Sequence, residues 1–290
     1  MKVYTKIKEI SYPNPDEHYS VYYRASNRPW EGSLGMVRVS PHSWYVGTDW
    51  VGVILIETGD GLIMIDSGIK GQMWMIFESV RKLGYDPQKD IKLCLISHAH
   101  ADHISGAALL KAYCNPVIYI NELEKDWPFT PERFSHIPGA VDLVIPFEAD
   151  RFYDYNRTIK LGSIEVYPLH TPGHTPGTTS FFFDDRDDDG TVYRVGLHGG
   201  LGTNTVEDIF FDNAEDAKEA RSAFRDNQKS LLDIPVDITI TNHGVHLNMH
   251  KRVAPYSTDF RPFIDCTAWR KHIEAALERL DDIEAASCFK

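Results

Sequence analysis

The chain has 290 residues, 42% hydrophobic and 25% charged, so it is long enough to bury a sizeable core and has the composition of a globular protein. Its formal net charge of −12, with 30 lysines and arginines against 42 aspartates and glutamates, excludes nucleic acid as an expected partner, because such a surface repels phosphate backbones. No apolar run approaches the ~20 residues of a membrane helix, and Met1-Lys2-Val3-Tyr4-Thr5-Lys6 leads into no apolar stretch of a secretory signal. The expectation is a cytoplasmic protein, not bound to membrane, that keeps Cys94, Cys114, Cys266 and Cys288 reduced.

Residues 1 to about 40, polar and aromatic and broken by Pro13-Asn14-Pro15 and Asn27-Arg28-Pro29-Trp30, read as an extended lead-in outside the core. Val51 to Glu57 and Leu62 to Asp66 read as strands joined by the turn Thr58-Gly59-Asp60-Gly61. Met73, Ile76, Phe77, Val80 and Leu83 recur at helical spacing, and Gly84 closes that helix. Ile91 to Ile96 is a buried strand with Cys94 inside it, and Ser105 to Ala112 a short helix. Val117 to Ile120 and Val141 to Phe147 are predicted strands, with a proline-broken surface excursion over 122–140 between them.

Further strands are expected at Thr158 to Leu161, Ile164 to Leu169, Thr179 to Phe183, Thr191 to Leu197 and Val236 to Thr241. The acidic run Asp184 to Gly190 lacks the ligand spacing of a calcium loop and reads as a solvated hairpin. Asp212 or Asn213 caps a helix running to about Leu232, stopped by Pro235. Trp269, Ile273, Ala276, Leu280 and Ile283 mark a C-terminal amphipathic helix. No linker-like stretch divides the chain, so residues 1–290 are expected to form one domain with two internal halves.

The chemistry concentrates where strands end. Ser97-His98-Ala99-His100-Ala101-Asp102-His103 packs three histidines and a carboxylate between a strand and a helix. Neutral imidazole and carboxylate suit zinc and similar metals. His98 and His100, two apart, can point to one side, and Asp102 and His103 can turn toward a second, adjacent ion. Thr171-Pro172-Gly173-His174-Thr175-Pro176-Gly177 aims His174 from a tight loop, and Asn242-His243-Gly244 follows the last strand.

These motifs, H-x-H-x-D-H, then T-P-G-H-T-P-G, then a late histidine, resemble the metallo-β-lactamase superfamily from about Trp44 to His243. The resemblance implies an α/β fold, an αββα sandwich of two mixed sheets with helices outside. Trp44 to Asp49, Leu62 to Gly68 and Ser97 to Gly106 are similar to the lactamase subclass whose second zinc is held by Asp and His without cysteine. It further implies two zinc ions, or another divalent metal. His98, His100 and His174 would hold the first ion, and Asp102, His103 and His243 the second, with Asp102 also the catalytic carboxylate. The implied activity is hydrolysis of a small-molecule carbonyl compound by a metal-held hydroxide.

The fold hosts many hydrolyses, so lactone, ester, thioester and cyclic amide all stand as substrates, with β-lactam cleavage as an alternative. A di-iron redox enzyme on the same fold is a different class; its pattern has a carboxylate where this chain has His100, and a bridging carboxylate that is missing after Val195-Gly196-Leu197-His198-Gly199-Gly200. A superfamily nuclease is disfavoured by the acidic charge, and a non-catalytic metal binder by six candidate ligands with an open position. His198 is an extra ligand or a donor beside the site, with Gly199 and Gly200 leaving room for a bulky substrate. Asp66 is either a carboxylate orienting a ligand histidine or a turn residue. His170 is expected to face away, and His246 and His250 to be loop residues. Trp44, Tyr45 and Trp50 line the mouth or pack the core.

Overall fold

The computed structural model describes residues 24–130 and 143–289. One sheet holds seven strands in chain order: β1 (Ser33–Ser40), β2 (Ser43–Thr48), β3 (Gly52–Glu57), β4 (Leu62–Ile65), β5 (Ile91–Leu95), β6 (Val117–Ile120) and β7 (Arg151–Phe152). β1 to β4 pair antiparallel and β4 to β7 parallel. The second sheet holds β8 (Ile159–Leu161), β9 (Ile164–His170), β10 (Thr179–Arg186), β11 (Val192–Leu197) and β12 (Ile238–Ile240) in the spatial order 12-11-10-9-8. Only its β11–β12 pair is parallel, so both sheets are mixed.

Strand alternation makes the layers, since successive side chains leave a strand on opposite faces. Ile54, Ile56, Ile63 and Ile65 face Phe181, Phe183, Val195 and Ile238 across the gap between the sheets. The residues in between, Val53, Leu55, Leu62 and Met64, face outward. There Met73, Ile76 and Val80 of α1 (Met73–Lys82) cover them, with Ala107 and Leu110 from a later helix. On the other outer face Phe182 and Val236 meet Leu231 of α4 (Ala214–Leu231) and Trp269 and Ile273 of α5 (Ala268–Ala286). Helix, sheet, sheet, helix is the predicted sandwich.

Several boundaries follow local chemistry. Asn213 caps α4 by accepting from Asp216 N–H, as read from the sequence. The helix after the histidine cluster starts earlier than expected, at Ala101: α2 (Ala101–Ile104) is followed by α3 (Ala107–Tyr113). Cys94 and Cys114 are buried, Cys266 and Cys288 exposed, and all four are free thiols. No helix among the described residues is long and apolar enough to cross a membrane.

Two expectations fail. The lead-in is not outside the core over its last part: Ser33–Ser40 is β1, with Val37 and Val39 buried between the sheets; residues 1–23 lie outside the described part. Over 143–147 no strand forms. Leu143 and Phe147 pack on the outer core while Ile145 is exposed, and the neighbour of β6 is β7 instead; residues 141–142 of that strand and 131–140 of the expected excursion lie outside the described part.

Candidate metal centre

The histidine-bearing turns all follow the C-terminal ends of strands, β5 of one sheet and β9, β11 and β12 of the other, and Asp66 follows the end of β4 beside them. A parallel arrangement places those ends at one edge, the usual place for a site in layered α/β folds. Thr179 N–H donates to Ser97 O at 2.8 Å and joins the two sheets there.

The six predicted ligands converge as two trios. The ligand atoms of His98, His100 and His174 lie within 4.8 Å of one another, and so do those of Asp102, His103 and His243. His98 Nε2 is 3.1 Å from His100 Nδ1, and His103 Nε2 is 3.1 Å from His243 Nε2. Asp102 Oδ2 lies 3.5 Å from His103 Nε2 and 3.4 Å from His243 Nε2. The rings of His98 and His174 are 4.6 Å apart, which sets the first trio around a common point.

Oxygen acceptors behind the rings fix which nitrogens face inward. His103 Nδ1 is 2.9 Å from Asp66 Oδ2, His174 Nδ1 is 2.7 Å from Gly202 O, and His243 Nδ1 is 3.1 Å from Trp50 O. An acceptor at Nδ1 keeps the proton there and leaves Nε2 as a lone pair, the arrangement that metal-ligating histidines use. The Nε2 atoms of His103 and His243 are then two lone pairs facing each other. A cation at that point relieves the repulsion, so the second trio fits a metal ion, and the three imidazoles of the first, with ligand atoms within 4.8 Å of one another, fit another.

Burial keeps most of the rings neutral, as ligation requires. It pushes His98 well below the ordinary imidazole value, and His174 and His243 down to about 4. At His103 burial pulls the same way, but the carboxylates of Asp102 and Asp66 outweigh it and raise the value.

Asp66, the residue after β4, holds this end of the site together. It is fully buried at a φ of 62°, a backbone region that side chains rarely adopt. Ser97 N–H donates to its Oδ1 at 2.7 Å; Ser97 Oγ and Asn242 Nδ2 donate to its Oδ2 at 2.9 and 2.6 Å. It orients His103 from behind, the first of the two readings given for it.

The other candidates sort by position. His170 turns away and meets Pro176 O through Nε2 at 2.8 Å. His198 accepts from Gly200 N–H through Nδ1 at 3.1 Å and belongs to neither trio. Gly199 and Gly200 do not simply leave room: a Cβ on Gly199 would strike the Thr179 carbonyl, and one on Gly200 the His174 ring. Trp44 and Tyr45 pack in the core, while Trp50 lines the cavity. His246 is more than a loop residue: its ring lies 5.1 Å from that of His243 and it lines the cavity, whereas His250 is exposed.

A cavity of about 470 Å³ opens over both trios. Its walls add Leu201, Ile209, Phe210 and Val245, with Glu207 and His272. Sequence reading missed His272, which neighbours the buried stripe position Ile273 of α5; adjacency to a stripe says nothing of which cavity a side chain meets. It also missed Glu124, whose place 25 residues beyond Ala99 carries no motif.

Comparison with known proteins agrees with this geometry. The family model described as the metallo-beta-lactamase superfamily matches residues 51–188. The native FEZ-1 metallo-beta-lactamase from Legionella gormanii superposes with a TM-score of 0.75 at 26% identity, over 85% of this chain and 94% of that one. BJP-1, a subclass B3 metallo-beta-lactamase of Bradyrhizobium japonicum, does so at 0.76 and 23%, over 89% and 97%, a likeness of fold. An N-acyl homoserine lactonase of Bacillus sp is 27% identical over 157 residues, 45% of this chain and 56% of that protein. The chain spans between 56% and 66% of the length of the curated relatives it matches. With the motif segment matched, the sandwich superposed and both His/Asp trios in place, the chain has the fold and the site pattern of the metallo-β-lactamase superfamily.

Proposed function

We propose that the protein is a dinuclear zinc hydrolase of an uncharged cyclic or activated carbonyl compound, a lactone, ester or thioester, with His98, His100 and His174 holding one ion and Asp102, His103 and His243 the other. The observation that carries this reading is the pair of trios side by side under one cavity. Bound zinc would supply a water acidified to hydroxide and an electrophile for the carbonyl oxygen.

The chain's own residues do the rest. Asp66, Gly202 O and Trp50 O hold the Nδ1 protons of His103, His174 and His243, so that the Nε2 atoms stay aimed inward. Asp102 turns Oδ2 toward His103 and His243 and keeps Oδ1 to accept the proton that the attacking water releases. Leu201, Ile209 and Phe210 give an acyl group an apolar wall and shed water from it. Glu207 on the same wall repels a substrate carboxylate, which favours a neutral lactone over a carboxylate-bearing lactam. Relatives named N-acyl homoserine lactonase support this choice. The cysteine-free second trio, shared in kind with the resembling lactamase subclass, favours β-lactam cleavage as the second reading.

The test compares kcat/KM on lactones of graded acyl length, esters, thioesters and a chromogenic cephalosporin, with Asp102→Asn as the blank. The proposal expects turnover of lactone or ester to exceed that of the cephalosporin. Efficient cleavage of the cephalosporin alone would select the lactamase reading.

A further inference from the structure

We propose that Glu124 is a positioning residue that clamps the two loops of the first trio and sets the distance from His174 to His98 and His100. The inference rests on the metal-centre reading above. Glu124 closes a short 3-10 turn, Glu122–Glu124, held at its start by Asn121, whose side chain accepts from Leu123 N–H at 2.9 Å. Its side chain runs inward and is fully buried. Oε2 accepts from Ala99 N–H at 2.6 Å, and Oε1 accepts from Gly177 N–H at 2.8 Å.

Ala99 is the residue between His98 and His100, and Gly177 closes the loop that carries His174. One carboxylate therefore grips both ligand-bearing loops by their backbones. Ionised acceptors make short, strong bonds to backbone N–H groups, and a carboxylate is acceptor-only at both oxygens. An amide would satisfy one loop and turn its NH2 against the other. The fit requires a bare backbone at residue 177, since a Cβ there would lie 2.6 Å from the Glu124 carboxyl carbon. The second trio hangs on other supports, Asp66 behind His103 and Trp50 O behind His243. Metal ligands must be held to a few tenths of an ångström, and a support that touches one trio alone should tune that trio alone.

The probe is cobalt(II), which reports binding and geometry through its visible absorption, so no activity is needed. Wild type, Glu124→Gln and the exposed control Glu122→Gln are titrated with cobalt. The trios are read separately in His243→Ala and His174→Ala backgrounds. The expected result is a loss of roughly 10–100-fold in affinity at the His98/His100/His174 trio for Glu124→Gln, with an altered absorption spectrum, and wild-type affinity at the other trio. Equal loss at both trios, or none, would overturn the proposal. Two ions in wild type with no effect of Glu124→Gln would overturn it alone, whereas no cobalt in wild type would overturn it together with the metal-centre reading. Should Glu124→Gln not fold, wild-type NMR decides. Ala99 and Gly177 amide protons that are downfield-shifted and protected from exchange support the clamp, and exchange at exposed-loop rates overturns it.

Discussion

At Asp66 a strained backbone and a dense hydrogen-bond set coincide. The left-handed φ of 62° costs of order 1–3 kcal/mol, and it persists because Ser97, Asn242 and His103 all converge on the carboxylate. Asp66→Asn keeps the shape but puts an amide where only acceptors fit. We expect a loss of roughly 10–100-fold in zinc affinity at the His103 trio, measured by competition with a chromophoric chelator. His174 and His198 make a second contrast. His174→Ala should cost one bound ion per chain. His198 is pushed down to about 3 by burial and stays a neutral acceptor for Gly200 N–H, so His198→Ala should lower the melting temperature and leave metal content unchanged. Elemental analysis beside a thermal melt reads both; loss of an ion from His198→Ala would make it a ligand. The six candidate ligands were legible because they crowd into short strand-end motifs. Glu124 was not, because its partners at Ala99 and Gly177 are brought to it only by the fold.

At the scale of elements, the cavity wall over 201–210 is tied to α4 and α5 by one buried arginine. Arg221 donates to Val206 O at 2.8 Å, Ser287 Oγ at 3.0 Å and Asp208 Oδ1 at 2.6 Å. Partial burial works against the Asp208 anion, but hydrogen bonds from Ser287, Arg221 and Cys288 win and hold its carboxyl well below the usual range. A carboxyl depressed in the fold stabilises fully above its unfolded value, and that contribution fades as pH falls through the folded value. Asp208→Asn should therefore be less stable than wild type at neutral pH, with the gap closing below about pH 4. Denaturant melts across that range check the sign, and a gap constant with pH would contradict it. Arg221→Met should cost about 2 kcal/mol, because it strands a partly exposed carboxylate. Strands written as short unbroken apolar runs, such as Ile54 to Ile56 and Phe181 to Phe183, were legible in the sequence because both of their faces are buried. β1 was not: Gly35, at a φ of 65°, shifts the register and leaves only Val37 and Val39 to show the period. Over 143–147 apolar residues cover a core without any ladder, and composition cannot tell the two apart.

For the whole molecule, the sandwich is stabilised by apolar cores made without the six candidate ligands: one between the sheets, one under α1 and one under α4 and α5. Removing metal with a chelator should leave secondary structure intact by circular dichroism. It should lower the melting temperature, because ions bound at 100 times their Kd contribute about 2.7 kcal/mol each. The strand ends of both sheets meet at one edge, which is why residues as far apart as His98 and His243 share a site. That convergence is the central claim. Anomalous diffraction at the zinc edge from crystals of protein purified without added metal tests it most directly. The account predicts two peaks, one within reach of His98, His100 and His174 and one within reach of Asp102, His103 and His243. A single shared peak, or iron at either position, would contradict it.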